Sequence, residues 1–186
     1  GTPPAWLACL RFSRNPSDGL QMLSDATPDS PHNYLTFLLL TAIETGKLPE
    51  GVDLEQLVSD YRQTRYIIDV LLIGLAVKDH DTVQLEAQKL QKALPKSFDA
   101  AIELRFTKKR LQHLAKLDPP EDWLLEQASS SGDVSDANFQ TALVQWAHED
   151  VETSKKYFQA TLDSDFSYWK KEYHWARALL KSVSSK

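Results

Sequence analysis

The sequence predicts an all-α fold, and three of its features point that way. Only 6 of the 186 residues are glycine, and few segments alternate strictly between apolar and polar residues, as strands exposed on one face do. Long runs rich in Leu, Ala, Gln, Lys and Glu favour helices. The hydrophobic content of 42% is enough to form the core of one domain. We therefore expect a single helical domain over residues 1–186.

Prolines and polar clusters divide this domain into eleven predicted helices. Several helices carry a start signal, in which a capping residue type precedes a proline of the first turn; the pairs are Asn15–Pro16, Ser30–Pro31 and Asp118–Pro119. A further start combines Asp53 with Gln56 three residues later, as in a capping box. The predicted helices cover residues 4–13, 16–26, 31–46, 53–63, 65–79, 83–94, 98–117, 120–130, 135–148, 151–163 and 166–183.

A period of about 34 residues runs through the chain. Large apolar residues recur in alternate helices at Leu23, Leu57, Leu90, Leu125 and Phe158, with separations of 34, 33, 35 and 33 residues. Three residues after each comes Ala26, Asp60, Ala93, Ala128 or Thr161, which is small in four of the five cases. A large residue fills the space between helices, and a small one on the same face lets two backbones approach. The pattern predicts helix pairs that bury their apolar faces by stacking.

This pattern resembles the tetratricopeptide repeat. The best match is Val70, Ile73, Gly74 and Val77 in a first helix, Asp81 at the turn, and Leu90 with Ala93 in the second helix. The resemblance implies a right-handed superhelical α-solenoid of about five antiparallel helix pairs. The repeats would cover residues 1–33, 34–66, 67–100, 101–134 and 135–168, with a capping helix over 169–184. The fourth repeat departs from the pattern, with Lys108 or Lys109 at a small position, and a generic helical bundle is the alternative.

Composition excludes several classes of function. The net charge of −5 argues against general nucleic-acid binding. The longest apolar runs, residues 35–43 and 67–77, are too short to span a bilayer, and Asp69 interrupts the second. The single cysteine, Cys9, cannot form an internal disulfide, and its apolar neighbours indicate a buried residue rather than a nucleophile.

Residues that could carry catalysis or bind a metal are not arranged for either. None of the five histidines lies four residues from another, so no helix face carries a zinc-binding pair. The segment Asp79-His80-Asp81 falls at a predicted turn, where a capping role is favoured over a metal site. No phosphate-binding loop or nucleophile elbow is present. We therefore predict no catalytic residue, no metal site and no cofactor.

Partner-binding residues are predicted in two places. In the repeat register Arg105, Lys109 and Gln112 project from one helix into a concave groove, which Lys78 and Trp146 would also line. These side chains suit a protein or peptide partner, with an acidic segment as one option, because cations pair with carboxylates. The alternative is a solvated basic face that balances the acidic residues of 118–165.

The second place is the last predicted helix. Trp169 and Tyr173, four residues apart, form an apolar stripe beyond the one that a capping helix needs. We expect these two side chains to contact a partner or a second copy of the chain.

The predicted function is that of a non-catalytic protein–protein interaction or scaffold module, which binds a peptide or protein segment in the groove. The alternative is a sensory or regulatory domain of a larger bacterial regulator or membrane-anchored protein.

Overall fold

A computed structural model of the chain describes residues 3–94, 102–164 and 170–186, and these residues form eleven helices. Within those ranges there is no strand, and the predicted all-α fold is confirmed. The helices are α1 (Ala5–Arg14), α2 (Pro16–Met22), α3 (Pro31–Thr45), α4 (Leu54–Tyr61), α5 (Ile67–Ala76), α6 (His80–Ala93), α7 (Ile102–Lys116), α8 (Trp123–Glu126), α9 (Ser131–Ala147), α10 (Val151–Leu162) and α11 (Lys171–Ser184).

Two of the four predicted helix starts, those at Asn15 and Asp53, are confirmed by capping hydrogen bonds. Helix α3 begins at Pro31 as predicted but without a side-chain bond from Ser30, and no helix begins at Pro119. The Asn15 side chain accepts a bond from the Asp18 N–H at 3.3 Å, and Asp53 accepts one from the Gln56 N–H at 2.9 Å. Asp79 caps α6 by accepting from the Thr82 N–H at 3.1 Å. The predicted capping role is therefore confirmed at Asp79, whereas His80 and Asp81 lie in the first turn of α6.

Two boundaries in the second half differ from the prediction. Helix α8 is a single turn, Trp123–Glu126, instead of the predicted span 120–130. Successive prolines disfavour helical backbone in the residue before each of them, so the helix begins only after Pro120. Helix α9 begins at Ser131, four residues before the predicted start, because the Ser130 hydroxyl caps the Asp133 N–H at 3.1 Å.

Four helices end in a left-handed residue. Gly46 follows α3 with φ of 77°, and the corresponding angles are 61° at Lys78 after α5, 58° at Leu117 after α7 and 65° at Glu149 after α9. Beyond α5 the Asp79 N–H bonds the Gly74 carbonyl at 3.0 Å, which satisfies a carbonyl that the helix leaves free. The same geometry thus ends α3, α5, α7 and α9, the first helices of four predicted pairs.

Helix α5 is the centre of the core. Every residue from Ile68 to Ala76 is buried, and α3, α4, α6, α7 and α9 all pack on it. A helix that is apolar on all sides needs such neighbours. Gly74 brings α5 close to α4 and α6, because a Cβ there would lie 2.5 Å from Val83 Cγ2 and 2.9 Å from Leu54 Cδ2. Among the described residues no helix, α5 included, has both the length and the apolar character needed to cross a membrane.

Helix α11 joins the two ends of the chain. It packs against α9 and α10 in its own half and against α1 and α3 in the N-terminal half. Its Trp175 is fully buried, and the indole Nε1–H donates to Thr36 Oγ1 of α3 at 3.0 Å. The side of the helix array that faces α11 is therefore filled by the chain itself.

Candidate functional site

Helix α7 presents a row of polar side chains on one face. Arg105, Lys109, Gln112 and Lys116 follow the spacing at which helical residues share a face. Arg105 and Lys116 are exposed, and Lys109 and Gln112 are half-buried. Neither the two lysines nor Arg105 has a carboxylate partner in the described part of the chain. Three predicted binding residues, Arg105, Lys109 and Gln112, thus lie together on one helix face. The positive charges of this face are not neutralised by a carboxylate among the described residues.

Trp123 lies beside this row. The Lys109 Nζ is 6.0 Å from the centroid of the Trp123 ring, which is half-buried and stacks on His113. A cleft of about 250 Å³ opens next to the indole and is lined by Gln112, Lys116 and the two prolines at 119 and 120, among others. We call Arg105, Lys109, Gln112, Lys116 and Trp123 the α7 surface.

His113 forms the buried side of this cleft. Its burial, followed by the positive charge of Arg110, lowers the pKa of the imidazole to about 4, so the ring is neutral at pH 7. The Gln140 Nε2 lies 3.0 Å from the His113 Nδ1, and this contact holds the imidazole ring in place. The imidazole therefore supports Trp123 without adding charge to the α7 surface.

Lys78 and Trp146 line a cleft of about 260 Å³ between the ends of α3 and α5, away from the α7 surface. Trp146 is only 5% exposed, and its indole N–H donates to the Ala76 carbonyl at 3.0 Å. The Lys78 Nζ lies 4.4 Å above the Trp146 ring and 2.6 Å from a Glu149 carboxylate oxygen. Both side chains therefore hold the ends of α5 and α9 together, and their role in binding a partner stays a prediction.

The predicted aromatic stripe is described only in part. Trp169 lies outside the described residues. Tyr173 is half-buried at the junction of α11 with α1, and the Arg177 guanidinium lies 5.6 Å from its ring centroid.

The sequence reasoning did not single out Trp6, although its side chain is half exposed and lies 6.5 Å from the His174 ring.

A second cleft was not predicted at all. It has a volume of about 450 Å³ and lies where the starts of α3, α5 and α11 meet; we call it the α11 cleft. Its lining consists of His32, Arg65, Tyr66, Lys170, Lys171 and Glu172. Burial, followed by the nearby Lys171, lowers the pKa of His32. Four of the six lining side chains can carry positive charge.

Below the α11 cleft lies a group of buried charges. The Lys171 Nζ is 3.6 Å from Asp69 Oδ2 and 3.1 Å from Glu172 Oε1. The Lys170 Nζ is 2.6 Å from Asp136 Oδ1, and Arg110 approaches the other oxygen of that carboxylate at 3.7 Å. We call these six side chains the buried ion cluster; it connects α5, α7, α9 and α11.

Burial sets the protonation of the cluster. Asp69 is almost fully buried in α5, and its burial raises the pKa of the carboxyl to about 6, despite the opposing charge of Lys171. Burial also acts on Glu172, but Lys171 and Lys170 outweigh it and hold the pKa of Glu172 below its usual range. Asp69 thus titrates at about pH 6, well above the usual range of an aspartate.

One sequence signal could have led to this region. Asp69 interrupts the most apolar run of the chain, and a charged residue on a buried helix needs a partner. Its partner Lys171 is far away in the sequence, and no spacing rule connects the two. Elsewhere in the described ranges, no group of three or more His, Cys, Asp or Glu side chains could hold a metal ion.

Comparisons with known proteins do not assign this chain to a family. The chain matches no family model, no curated protein and no solved structure. The resemblance to tetratricopeptide repeats therefore stays a prediction that rests on the residue pattern.

Proposed function

We propose that this domain is a non-catalytic binding module that holds an acidic protein segment on the α7 surface. One observation carries the proposal: three cations that have no carboxylate partner among the described residues lie along one helix face, next to a half-buried tryptophan and a cleft. Aspartate and glutamate side chains would pair with Arg105, Lys109 and Lys116. An apolar side chain of the same segment would enter the cleft beside Trp123.

The energetics favour a weak, salt-sensitive complex. An exposed ion pair contributes about 0.2–1 kcal/mol, so three such pairs contribute about 1–3 kcal/mol. Burial of one apolar side chain against Trp123 adds about 1.5–3 kcal/mol. Because the cations are exposed, screening at high salt should remove much of the attraction.

The tetratricopeptide-like arrangement is part of the proposal. Most successive helices pack on one another, although α3 and α4 of the second predicted pair make little contact, and α7 is the first helix of the fourth predicted pair. In such an array the first helices line the inner face. Contacts of α11 with α1 and α3, and of α5 with α9, cover part of that face over the other pairs and leave a cleft of about 260 Å³ beside Lys78 and Trp146. We propose that the partner binds on the α7 surface.

Charge reversal tests the proposal. The probe is a short fluorescein-labelled peptide of glutamates with one central phenylalanine, and its binding is measured by fluorescence anisotropy at low salt. The double variant Arg105→Glu/Lys109→Glu turns two attractions into repulsions and should weaken binding by about 2 kcal/mol, or roughly thirtyfold. Trp123→Ala should weaken it as well.

The matched control is Arg11→Glu/Arg14→Glu, which changes the same charge at exposed positions of α1. This control should bind the peptide nearly as well as the wild type does. Equal loss of binding in both double variants would assign the effect to net charge and would refute a site on the α7 surface.

The alternative function, a sensory or regulatory domain, is favoured by a different observation. The α11 cleft is large enough for a small molecule and lies over buried charges. A small ligand there would act on α11, the helix that connects both halves of the domain.

A further inference from the structure

We propose that the α11 cleft binds a small organic monocarboxylate, with Arg65 as the main contact for the carboxylate group. This site is separate from the α7 surface and does not depend on its function. The inference rests on the size of the cleft, the charges around it and the hydrogen-bonding groups that face it.

The size of the cleft is that of a ligand site. Its volume of about 450 Å³ lies within the range of about 300–1,000 Å³ that is typical of small-molecule pockets. The rings of Tyr66 and His32 form part of its lining, and His32 in turn stacks on the buried Trp175. These rings provide a fixed surface against which the apolar part of a ligand can pack.

The charges around the cleft favour a ligand with one negative charge. The buried ion cluster holds three cations, Lys170, Lys171 and Arg110, against three carboxylates, those of Asp69, Asp136 and Glu172. Among the described residues these charges balance, and the guanidinium of Arg65 remains as a single excess positive charge. A monocarboxylate neutralises that charge, whereas a phosphate dianion would leave one negative charge unpaired beside Glu172.

Arg65 is free to take this role. It has no carboxylate partner within the described ranges, and its Nη2 donates to the Tyr66 hydroxyl at 2.8 Å. That bond orients the guanidinium and leaves the phenol hydrogen of Tyr66 for a ligand oxygen. Arginine binds carboxylates through two parallel N–H bonds. The carboxylate would therefore lie between the Arg65 guanidinium and the Tyr66 hydroxyl.

The buried ion cluster gives a second reason to expect a ligand. Buried ion pairs often contribute less stability than apolar residues of the same size. Because Lys171 lines the cleft and also contacts Asp69, an anion in the cleft competes with Asp69 for the same ammonium group.

Benzoate is the probe, because it combines one carboxylate with a flat apolar ring. Its binding to the full chain is measured by isothermal titration calorimetry, with inorganic phosphate as the comparator. We expect saturable binding of benzoate, and binding weaker by roughly tenfold or more in Arg65→Gln. The control Arg14→Gln, which also removes one exposed guanidinium, should bind like the wild type.

Two further variants make the test specific. Asp69→Asn should tighten benzoate binding at pH 8, because it removes a carboxylate that competes for Lys171. Arg105→Glu/Lys109→Glu should leave benzoate binding unchanged, which separates this site from the α7 surface. Absence of saturable binding, equal binding by Arg65→Gln, weaker binding by Asp69→Asn, or tighter binding of phosphate than of benzoate would each overturn the proposal.

Discussion

Asp69 makes the stability of the domain depend on pH in a direction that can be calculated. Its carboxyl is buried in α5, and burial raises its pKa from an ordinary value of 3.8 to about 6. A carboxyl whose pKa is higher in the folded state binds its proton more tightly after folding. Its contribution is therefore fully present below pH 3.8 and is lost as the pH rises through about 6.

The size of the effect follows from the two pKa values. Full ionisation of Asp69 costs the folded state about 3 kcal/mol relative to the unfolded chain. About 1.4 kcal/mol of that loss falls between pH 5 and pH 8. Asp69→Asn cannot titrate, so the free energy of unfolding of the wild type should fall by this amount relative to that of the variant.

The measurement is urea unfolding, followed by the fluorescence of the five tryptophans, at several pH values from 5 to 8. Groups common to both proteins, such as His32 and His113, cancel in the difference between their free energies. Asp81→Asn, at an exposed position of α6, controls for the loss of one formal charge. A difference between wild type and Asp69→Asn that stays constant within about 0.5 kcal/mol over this range would refute the reasoning.

Two other predictions concern the core. Burial lowers the pKa of His113 from 6.5 to about 4, so the contribution of its neutral ring to stability is lost as the pH falls. Between pH 7 and pH 5 the free energy of unfolding of the wild type should therefore fall by about 1.8 kcal/mol more than that of His113→Gln. Urea unfolding at the two pH values measures this difference. Gly74→Ala should destabilise the domain by about 1–3 kcal/mol in thermal unfolding, because the new Cβ would lie 2.5 Å from Val83 Cγ2. Gly132→Ala, whose Cβ would meet nothing closer than 3.7 Å, should change the stability much less, and equal losses in the two glycine variants would contradict the packing argument.

Local signals in the sequence predicted the helices well. The side chains of caps such as Asn15 and Asp53 accept hydrogen bonds from N–H groups three residues away. Such caps can therefore be predicted from the local sequence, without knowledge of the tertiary structure. The errors at α8 and α9 have the same local origin. Asp118–Pro119 has the form of a start signal, but Pro120 directly after it disfavours helical backbone at Pro119, and the cap that starts α9 is Ser130.

The candidate sites were predictable only where they lie on one helix. Arg105, Lys109 and Gln112 share a face of α7, and helical spacing alone brings them together. Trp146 was expected to be exposed, because the sequence does not reveal that Ala76 would accept its indole N–H. The α11 cleft could not be predicted, since it forms only when residues from three distant segments meet.

The contact between α11 and the N-terminal helices has a consequence for the order of folding. Trp175 meets Thr36 across a separation of 139 residues. At a synthesis rate of about 5–20 residues per second, that stretch takes roughly 7 to 28 s to produce. During this interval α1 and α3 leave the ribosome before the helix that covers them exists. The apolar surface of α1 and α3 would therefore stay exposed on the nascent chain until α11 has been synthesised. Chaperone assistance would matter most during this interval.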